Sequence, residues 1–211
     1  MIIAGVEEAG RGPVIGPLVM ALAAADKKTI NELQILGVTD SKMLSKKKRE
    51  ELYKKIKELC DVKVLILSPS QVDASLLDPN MNLNWLEAKT SSALINKVNA
   101  DKVILDCPSN NFKTYVDYVK KNLKYQPELV AEHKADEKYT IVGAASIIAK
   151  VIRDKEVDKL KQIAGFDFGS GYPSDPKTIE FLKNNWNKYD FFRKTWKTYQ
   201  KYSQKSLNDF N

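Results

Sequence analysis

The chain has 211 residues, enough for one full-sized core or one domain with a small appendage. Hydrophobic content of 43% and charged content of 29% fit a soluble globular protein, and no apolar run approaches the roughly 20 residues of a membrane span, so composition excludes a helical membrane protein. Cys60 and Cys107 lack metal-type spacing and a second pair, which argues against a disulfide framework and for a reducing, cytoplasmic interior; the net charge of +7 suits a polyanionic partner such as nucleic acid, or simply a soluble surface.

Met1 to Val6 is apolar with no basic region before it, which predicts a buried first strand and not a signal peptide. The strand ends in two adjacent acids, Glu7 and Glu8. Ala9-Gly10-Arg11-Gly12-Pro13 is a turn. A second apolar run from Val14 to Ala25, broken by Gly16 and Pro17, completes a strand, tight turn, strand pattern. Strand alternation sends Glu7 and Glu8 to opposite faces unless the strand ends or bulges there. Two acids at the end of an apolar strand are costly unless solvated or paired, and a hard divalent cation is a good partner for carboxylate oxygens. Gly10 and Gly12 allow a backbone to approach a ligand closely, and Arg11 between them can fork onto a phosphate. A hairpin with a charged tip would account for Glu7-Glu8 alone, but it does not require the rest of that string.

Asp26 to Thr29 reads as a turn and Thr29 to Leu36 as a short helix closed by Gly37. Asp40-Ser41-Lys42 follows, a triplet that is chemically nonspecific. Ser45 is an N-cap for a helix over 46–59, with Leu52, Ile56 and Leu59 on its apolar face and lysines on the other. Val62 to Leu67 is a third strand, 68–81 a short helix and loop, and Asn82 to Val98 an amphipathic helix. Asp101 to Asp106 is a fourth strand. Its terminal acid, Asp106, repeats the pattern at Glu7 and equally suits a cap for the next helix, Asn111 to Leu123.

Glu128 to Glu132 is the fifth strand and runs into His133-Lys134-Ala135-Asp136. Asp136 lies in a polar turn before a long helix, Val142 to Leu160, whose early face is small: Gly143, Ala144, Ala145 and Ser146. His133 is the only histidine, a structural or positioning residue more readily than a catalytic one. Gly169-Ser170-Gly171-Tyr172-Pro173-Ser174-Asp175-Pro176 is an ordered loop that holds Tyr172, either as a buried anchor or as a ligand contact. Helices follow over Phe181 to Tyr189 and Thr195 to Lys205. There Trp186, Tyr189, Phe192, Trp196, Tyr199 and Tyr202 alternate with Lys183, Lys188, Arg193, Lys194, Lys197 and Lys201. Such interleaving suits a nucleic-acid face or a helical appendage, with aromatics inward and cations outward.

The stretch from Gly5 to Pro17, GVEEAGRGPVIGP, resembles the signature of the type 2 ribonucleases H (ribonuclease HII), G-x-D-E-A-G-R-G-P-x-x-G-P. One position departs: Glu7 stands where the family has Asp. The resemblance continues through Asp40-Ser41-Lys42, His133 to Asp136, the helix segment AASIIAKV with Arg153-Asp154, Gly169 to Tyr172, and Arg193-Lys194-Thr195-Trp196-Lys197-Thr198. Thr140 and Gly143 stand where relatives usually carry Pro and Ser.

This resemblance implies an α/β, ribonuclease H-like fold: a mixed five-stranded sheet flanked by helices, with a C-terminal helical subdomain. The expected organisation is a catalytic domain over 1–176, a helical substrate-binding part over 177–203, and a flexible tail over 204–211. It further implies that Glu7, Glu8, Asp106 and Asp136 are catalytic and hold two Mg²⁺ or Mn²⁺ ions. Gly10, Arg11 and Gly12 would read the 2′-hydroxyl and Tyr172 would stack on the adjoining sugar. Asp40, Ser41, Lys42 and Lys134 would contact substrate. The implied activity is cleavage of RNA in RNA/DNA hybrids and 5′ to single ribonucleotides in duplex DNA, by a monomeric cytoplasmic enzyme. The ending Gln204-x-x-Leu207-x-x-Phe210 resembles the peptide by which replication and repair enzymes hold the sliding clamp (PCNA), with Asn211 where a second aromatic usually stands. Two other classes remain open: a catalytically impaired hybrid-binding protein, motivated by Glu7, and a DNA nuclease or integrase of the same fold.

Overall fold

The structure is a computed structural model describing residues 1–38 and 44–208, with side chains to residue 204. In chain order the elements are β1 (Ile2–Ala9), β2 (Leu18–Asp26), α1 (Lys27–Ile35), α2 (Lys46–Leu59), β3 (Asp61–Leu67), α3 (Pro69–Leu76), α4 (Leu83–Ile95), β4 (Lys102–Asp106), α5 (Phe112–Lys121), β5 (Glu128–Glu132), α6 (Ala135–Lys138), α7 (Thr140–Ala164), α8 (Pro176–Asn185) and α9 (Lys197–Asn208). The strands form one sheet in the order β3-β2-β1-β4-β5. β1 runs antiparallel to β2 and parallel to β4, and β4 runs parallel to β5. This is the expected mixed five-stranded sheet flanked by helices, with a helical C-terminal region.

By contacts the chain divides into two compact units. The first comprises Met1–Ala9, Val19–Leu65 and Leu83–Ile152; the second comprises Gly10–Leu18, Ile66–Asn82 and the chain from Arg153 onward. In the first unit, register places the acids. Val6 pairs with Leu105 in the parallel β1–β4 ladder, so Glu7 and Asp106 each stand one residue beyond that pair, level at the carboxyl ends of neighbouring strands. Asp106 in turn pairs with Glu132 on β5. The core beneath includes Ala21, Ala23, Leu52, Ile56, Ile104 and Ile148, all buried. Gly5 has a steric reason: a Cβ there would lie 2.6 Å from the backbone of Ile141 and Val142. The start of α7 therefore lies directly on β1, and the small early face of that helix is buried as its composition predicts.

The second unit has its own core of Val14, Ile15, Val157, Phe168, Leu182 and Phe192. Aromatic rings stack within it, with Tyr189 and Phe191 centroids 4.8 Å apart. Both cysteines are free thiols, and burial pushes Cys60 up to about 11. No helix among the described residues is long and apolar enough to cross a membrane.

Several element boundaries differ from expectation for local reasons. The second strand begins at Leu18, not Val14. The N–H groups of Val14 and Ile15 donate to the Gly171 carbonyl at 2.9 and 3.2 Å, and Gly16 N–H donates to Phe191 O at 3.0 Å. Gly16 adopts φ +91°, which turns the chain out of strand geometry. Asp26 is a helix cap instead of part of a turn: its carboxylate accepts from Thr29 N–H at 2.8 Å and starts α1 at Lys27. The C-terminal helix expected over Phe181 to Tyr189 instead spans Pro176–Asn185, because Asp175 caps it and Pro176 suits the first turn.

Candidate active site

Glu7, Glu8 and Asp106 offer carboxylate oxygens that all lie within 4.8 Å of one another. Alternation alone would separate Glu7 from Glu8. The structure resolves this locally: the Glu7 carboxylate curls along the strand and accepts from the Glu8 backbone N–H at 2.9 Å. Glu7 is buried. Burial, and then the negative charge of Glu8 and Asp106, hold its carboxyl well above the ordinary 4.5, while the Glu8 N–H opposes that shift. Like charges gathered around a buried carboxylate are unfavourable by themselves, and a hard cation relieves them. The donor set is all carboxylate oxygen, which suits Mg²⁺ or Mn²⁺.

Asp106 is fixed by the turn that follows β5. Its Oδ1 accepts from Ala135 N–H at 2.7 Å. Lys134, just before, has φ 55°, a left-handed conformation that costs a non-glycine residue ~1–2 kcal/mol. His133 steadies the same turn, with Nδ1 2.7 Å from Cys107 O and its ring 4.6 Å from the Phe112 ring. That is the positioning role its solitary occurrence suggests. Asp136 follows Ala135 directly; it is buried in the short α6 rather than lying in an open polar turn. Asp136 is not among the three acids grouped within 4.8 Å. The Lys134 side chain is exposed, 3.3 Å from Glu137, a surface pair of little energetic weight.

The second unit contains the two glycine loops. Gly10 has φ +85°, and a Cβ there would lie 2.6 Å from Pro17 O, so no other residue fits without rearrangement. A Cβ on Gly12 would sit 3.5 Å from the Tyr172 ring. Tyr172 is 37% exposed, which removes the buried-anchor alternative. Arg153 places its guanidinium 5.1 Å from the Tyr172 ring centroid and donates from Nη2 to Ser170 O at 2.7 Å. The loop is closed by Ser170 N–H donating to Asp175 at 2.7 Å and Gly171 N–H donating to Thr178 Oγ1 at 3.0 Å.

One expectation is overturned here. Arg193 does not point outward with the lysines; it is fully buried. Its Nε donates to Gly16 O at 3.0 Å, Nη1 to Arg11 O at 2.9 Å and Nη2 to Gly10 O at 2.6 Å. The physical reason is the fork of donors on a guanidinium, which satisfies several carbonyls at once. Trp196 donates from Nε1 to Gly12 O at 3.1 Å and carries the Arg193 guanidinium 4.8 Å from its ring centroid. Sequence reasoning missed Arg193, Trp196 and Arg153 as residues that shape the glycine loops. The Arg-x-x-Trp spacing was the available signal. Asp40, Ser41, Lys42 and Phe210 lie outside the described residues, as does the side chain of Leu207; Gln204 is exposed on α9.

The comparisons with known proteins agree with this geometry. The family model described as Ribonuclease HII matches residues 4–199. Ribonuclease HII of Pyrococcus horikoshii is 44% identical, covering 97% of this chain and 94% of its own. The crystal structure of ribonuclease H2 from Pyrococcus horikoshii OT3 superposes with a TM-score of 0.90 at 43% identity, covering 97% of this chain and 98% of that one. A PCNA:RNase HII complex from Archaeoglobus fulgidus superposes with a TM-score of 0.86 at 39% identity, covering 93% and 96%. With a family match over residues 4–199 and strand-end acids in one cluster, the chain belongs to the ribonuclease HII family, metal-dependent hydrolases that act on RNA in RNA/DNA hybrids.

Proposed function

We propose that this chain cleaves the RNA strand of RNA/DNA hybrids and also incises 5′ to single ribonucleotides embedded in duplex DNA, leaving 5′-phosphate and 3′-hydroxyl ends. The observation that carries the reading is the Glu7, Glu8 and Asp106 cluster at the carboxyl ends of β1 and β4. With Asp136 these acids would hold two divalent cations, Mg²⁺ or Mn²⁺. Such a pair, when bound, supplies an activated water and stabilises the leaving oxygen of the displacement. No nucleophilic side chain is needed, which fits a chain with one histidine that is hydrogen-bonded to a backbone carbonyl.

The protein's own contribution to specificity lies in the glycine loops. The backbone of Gly10, Arg11 and Gly12 reads the 2′-hydroxyl, the group that separates RNA from DNA. Tyr172 stacks on the neighbouring sugar; its partial exposure and its Arg153 support leave a ring face for that contact. Lys134, with an exposed side chain, contacts the substrate, and the Asp40-Ser41-Lys42 segment contacts a phosphate. Residues 1–176 carry the chemistry and 177–203 support substrate binding, in a monomeric, cytoplasmic enzyme. The tail residues Gln204, Leu207 and Phe210 bind a sliding clamp, a reading supported by the PCNA complex of the Archaeoglobus relative. A role in ribonucleotide removal during replication and repair follows from that substrate. No observation favours the hybrid-binding alternative: Glu7 lies inside the acid cluster, not outside it.

The test uses a DNA duplex with one embedded ribonucleotide, incubated with Mg²⁺ and with Mn²⁺. Incision 5′ to the ribonucleotide, absent from an all-DNA control and lost in Asp136→Asn, is the expected result. Binding without incision in either metal would overturn the proposal.

A further inference from the structure

We propose that Arg193, Trp196 and Asp73 are positioning residues that hold the peptide planes at Gly10–Gly12 and thereby set discrimination for the 2′-hydroxyl; this rests on the reading of that loop given above. In a trans peptide the C=O of one residue and the N–H of the next point in opposite directions. Arg193 binds the carbonyls of Gly10 and Arg11, so the N–H groups of Arg11 and Gly12 are directed away from the guanidinium. Trp196 binds the Gly12 carbonyl. Three successive carbonyls are thus held by one stacked pair of side chains. A loop with two glycines would otherwise rotate these planes at low cost. Holding the carbonyls fixes where the amides aim.

Burying the Arg193 side chain completely is expensive unless its donors are satisfied, and three of them go to carbonyls of one short stretch. An apolar side chain here would leave those carbonyls without donors, so the guanidinium selects one conformation of this loop. The bracket is itself anchored. Arg193 N–H donates to Val14 O at 2.9 Å. The Asp73 carboxylate on α3 accepts from Lys194 N–H at 2.7 Å, Thr195 N–H at 3.0 Å and the Thr195 hydroxyl, clamping the turn between Arg193 and Trp196. Asp73 touches no part of the glycine loop in these bonds, yet it orients both residues that do.

The experiment compares the full-length wild-type chain with Arg193→Lys, Trp196→Phe and Asp73→Asn. Incision in Mn²⁺ is measured on a duplex with one ribonucleotide and on the same duplex with a deoxynucleotide there, and metal-free affinities for the two duplexes give the ribo-to-deoxy ratio. Mn²⁺ affinity without DNA and thermal stability are measured alongside. Lysine keeps the charge but cannot bridge three carbonyls, so Arg193→Lys is expected to lower kcat/KM at the ribonucleotide by about 100-fold, the order that ~1 Å of misplacement costs. Trp196→Phe and Asp73→Asn should each lower it about tenfold, the order of one lost hydrogen bond. The ribo-to-deoxy ratio should fall in step, with Mn²⁺ affinity within about twofold of wild type. Losses that follow Tm or Mn²⁺ affinity, or an unchanged ratio, would overturn the proposal. Should Arg193→Lys fail to fold, an unchanged ratio in the other two variants overturns it alone. Wild-type incision of the all-deoxy duplex at a similar rate would instead sink the reading of the loop, whatever the variants do.

Discussion

The acid cluster and the glycine loops solve opposite problems. In the first, the functional groups are side chains. Glu7 and Asp106 are brought level by strand register with Glu8 beside them, and the burial of Glu7 among like charges favours a cation there. In the second, the groups proposed to meet the substrate are backbone amides. The side chains around them, Arg193 and Trp196, donate to the loop carbonyls. On the proposed reading, chemistry that needs charge is built from residue identity, and recognition of a hydroxyl from backbone held in place. The two regions should therefore respond differently to substitution, to metal and to pH.

The largest expected effect falls on the cluster. Asp106→Asn removes one charged carboxylate from the cluster, while its amide Oδ1 can still accept from the Ala135 N–H. Incision should fall by about 1,000-fold or more, equivalent to ~4 kcal/mol of barrier, while binding to an RNA/DNA hybrid stays close to wild type. A parallel loss of hybrid affinity, measured by fluorescence anisotropy, would erase the contrast between the two regions. Next comes Glu7→Asp. The extra methylene of glutamate lets this carboxylate curl back to the Glu8 N–H, and the shorter aspartate cannot follow the same path. If that curl misplaces a metal oxygen by ~1 Å, Glu7→Asp should gain on the order of 10- to 100-fold in Mg²⁺. Equal steady-state rates for the two proteins in Mg²⁺ would show that Glu7 fits its site as it stands.

The same contrast explains what was legible in the sequence. Acids at strand ends announce themselves, because two carboxylates directly after an apolar run have no other easy explanation. The pairing of Glu7 with Asp106 could be anticipated from the repeated strand-end pattern, although the way Glu7 and Glu8 come together depends on one side chain curling back. Asp136 was singled out, but its burial in α6 was not foreseen. Arg193 was misread because a cation among alternating aromatics and lysines looks solvated; its carbonyl partners lie about 180 positions away in the chain. Asp73 gave no signal at all, since a half-buried acid on a short helix is commonplace. The second strand was drawn too long because Val14 and Ile15 are apolar, and apolarity does not reveal that their N–H groups bond to Gly171.

A smaller effect separates the regions through stability. Glu7 has a folded-state pKa raised above its ordinary 4.5, so the folded protein holds that proton more tightly than the unfolded chain does. The favourable contribution is complete below the unfolded value and is lost as pH rises through the folded one. Above that, ionised Glu7 destabilises the metal-free protein. Glu7→Gln should therefore raise the metal-free Tm at pH 8 by about 2–4 °C, the shift that ~1 kcal/mol gives a chain of this size. It should also shrink the Tm rise on adding Mn²⁺, because fewer charges remain to be neutralised. A Tm below wild type in metal-free buffer at pH 8 would mean that the curl to Glu8 outweighs the burial of charge.

The smallest effect has the opposite sign and belongs to the glycine-loop unit. Asp167 precedes the Tyr172 loop and is held down to about 2 by Lys161, by the Gly169 N–H and by Lys177. A depressed carboxyl stabilises the fold above its unfolded value near 3.8, and that contribution is lost as pH falls through the folded value near 2. Because the side chain is exposed, salt and water screen the effect. Asp167→Asn should lower Tm by about a degree or less at pH 7 and low salt, with the difference from wild type vanishing towards pH 2. Glu7→Gln behaves in reverse: no difference below 4.5 and a growing one above. Melting curves for both variants from pH 2 to pH 8 would set the two trends side by side. A Tm difference for Asp167→Asn that grew on acidification would mean that Lys161 and Gly169 do not hold the carboxylate in its charged form.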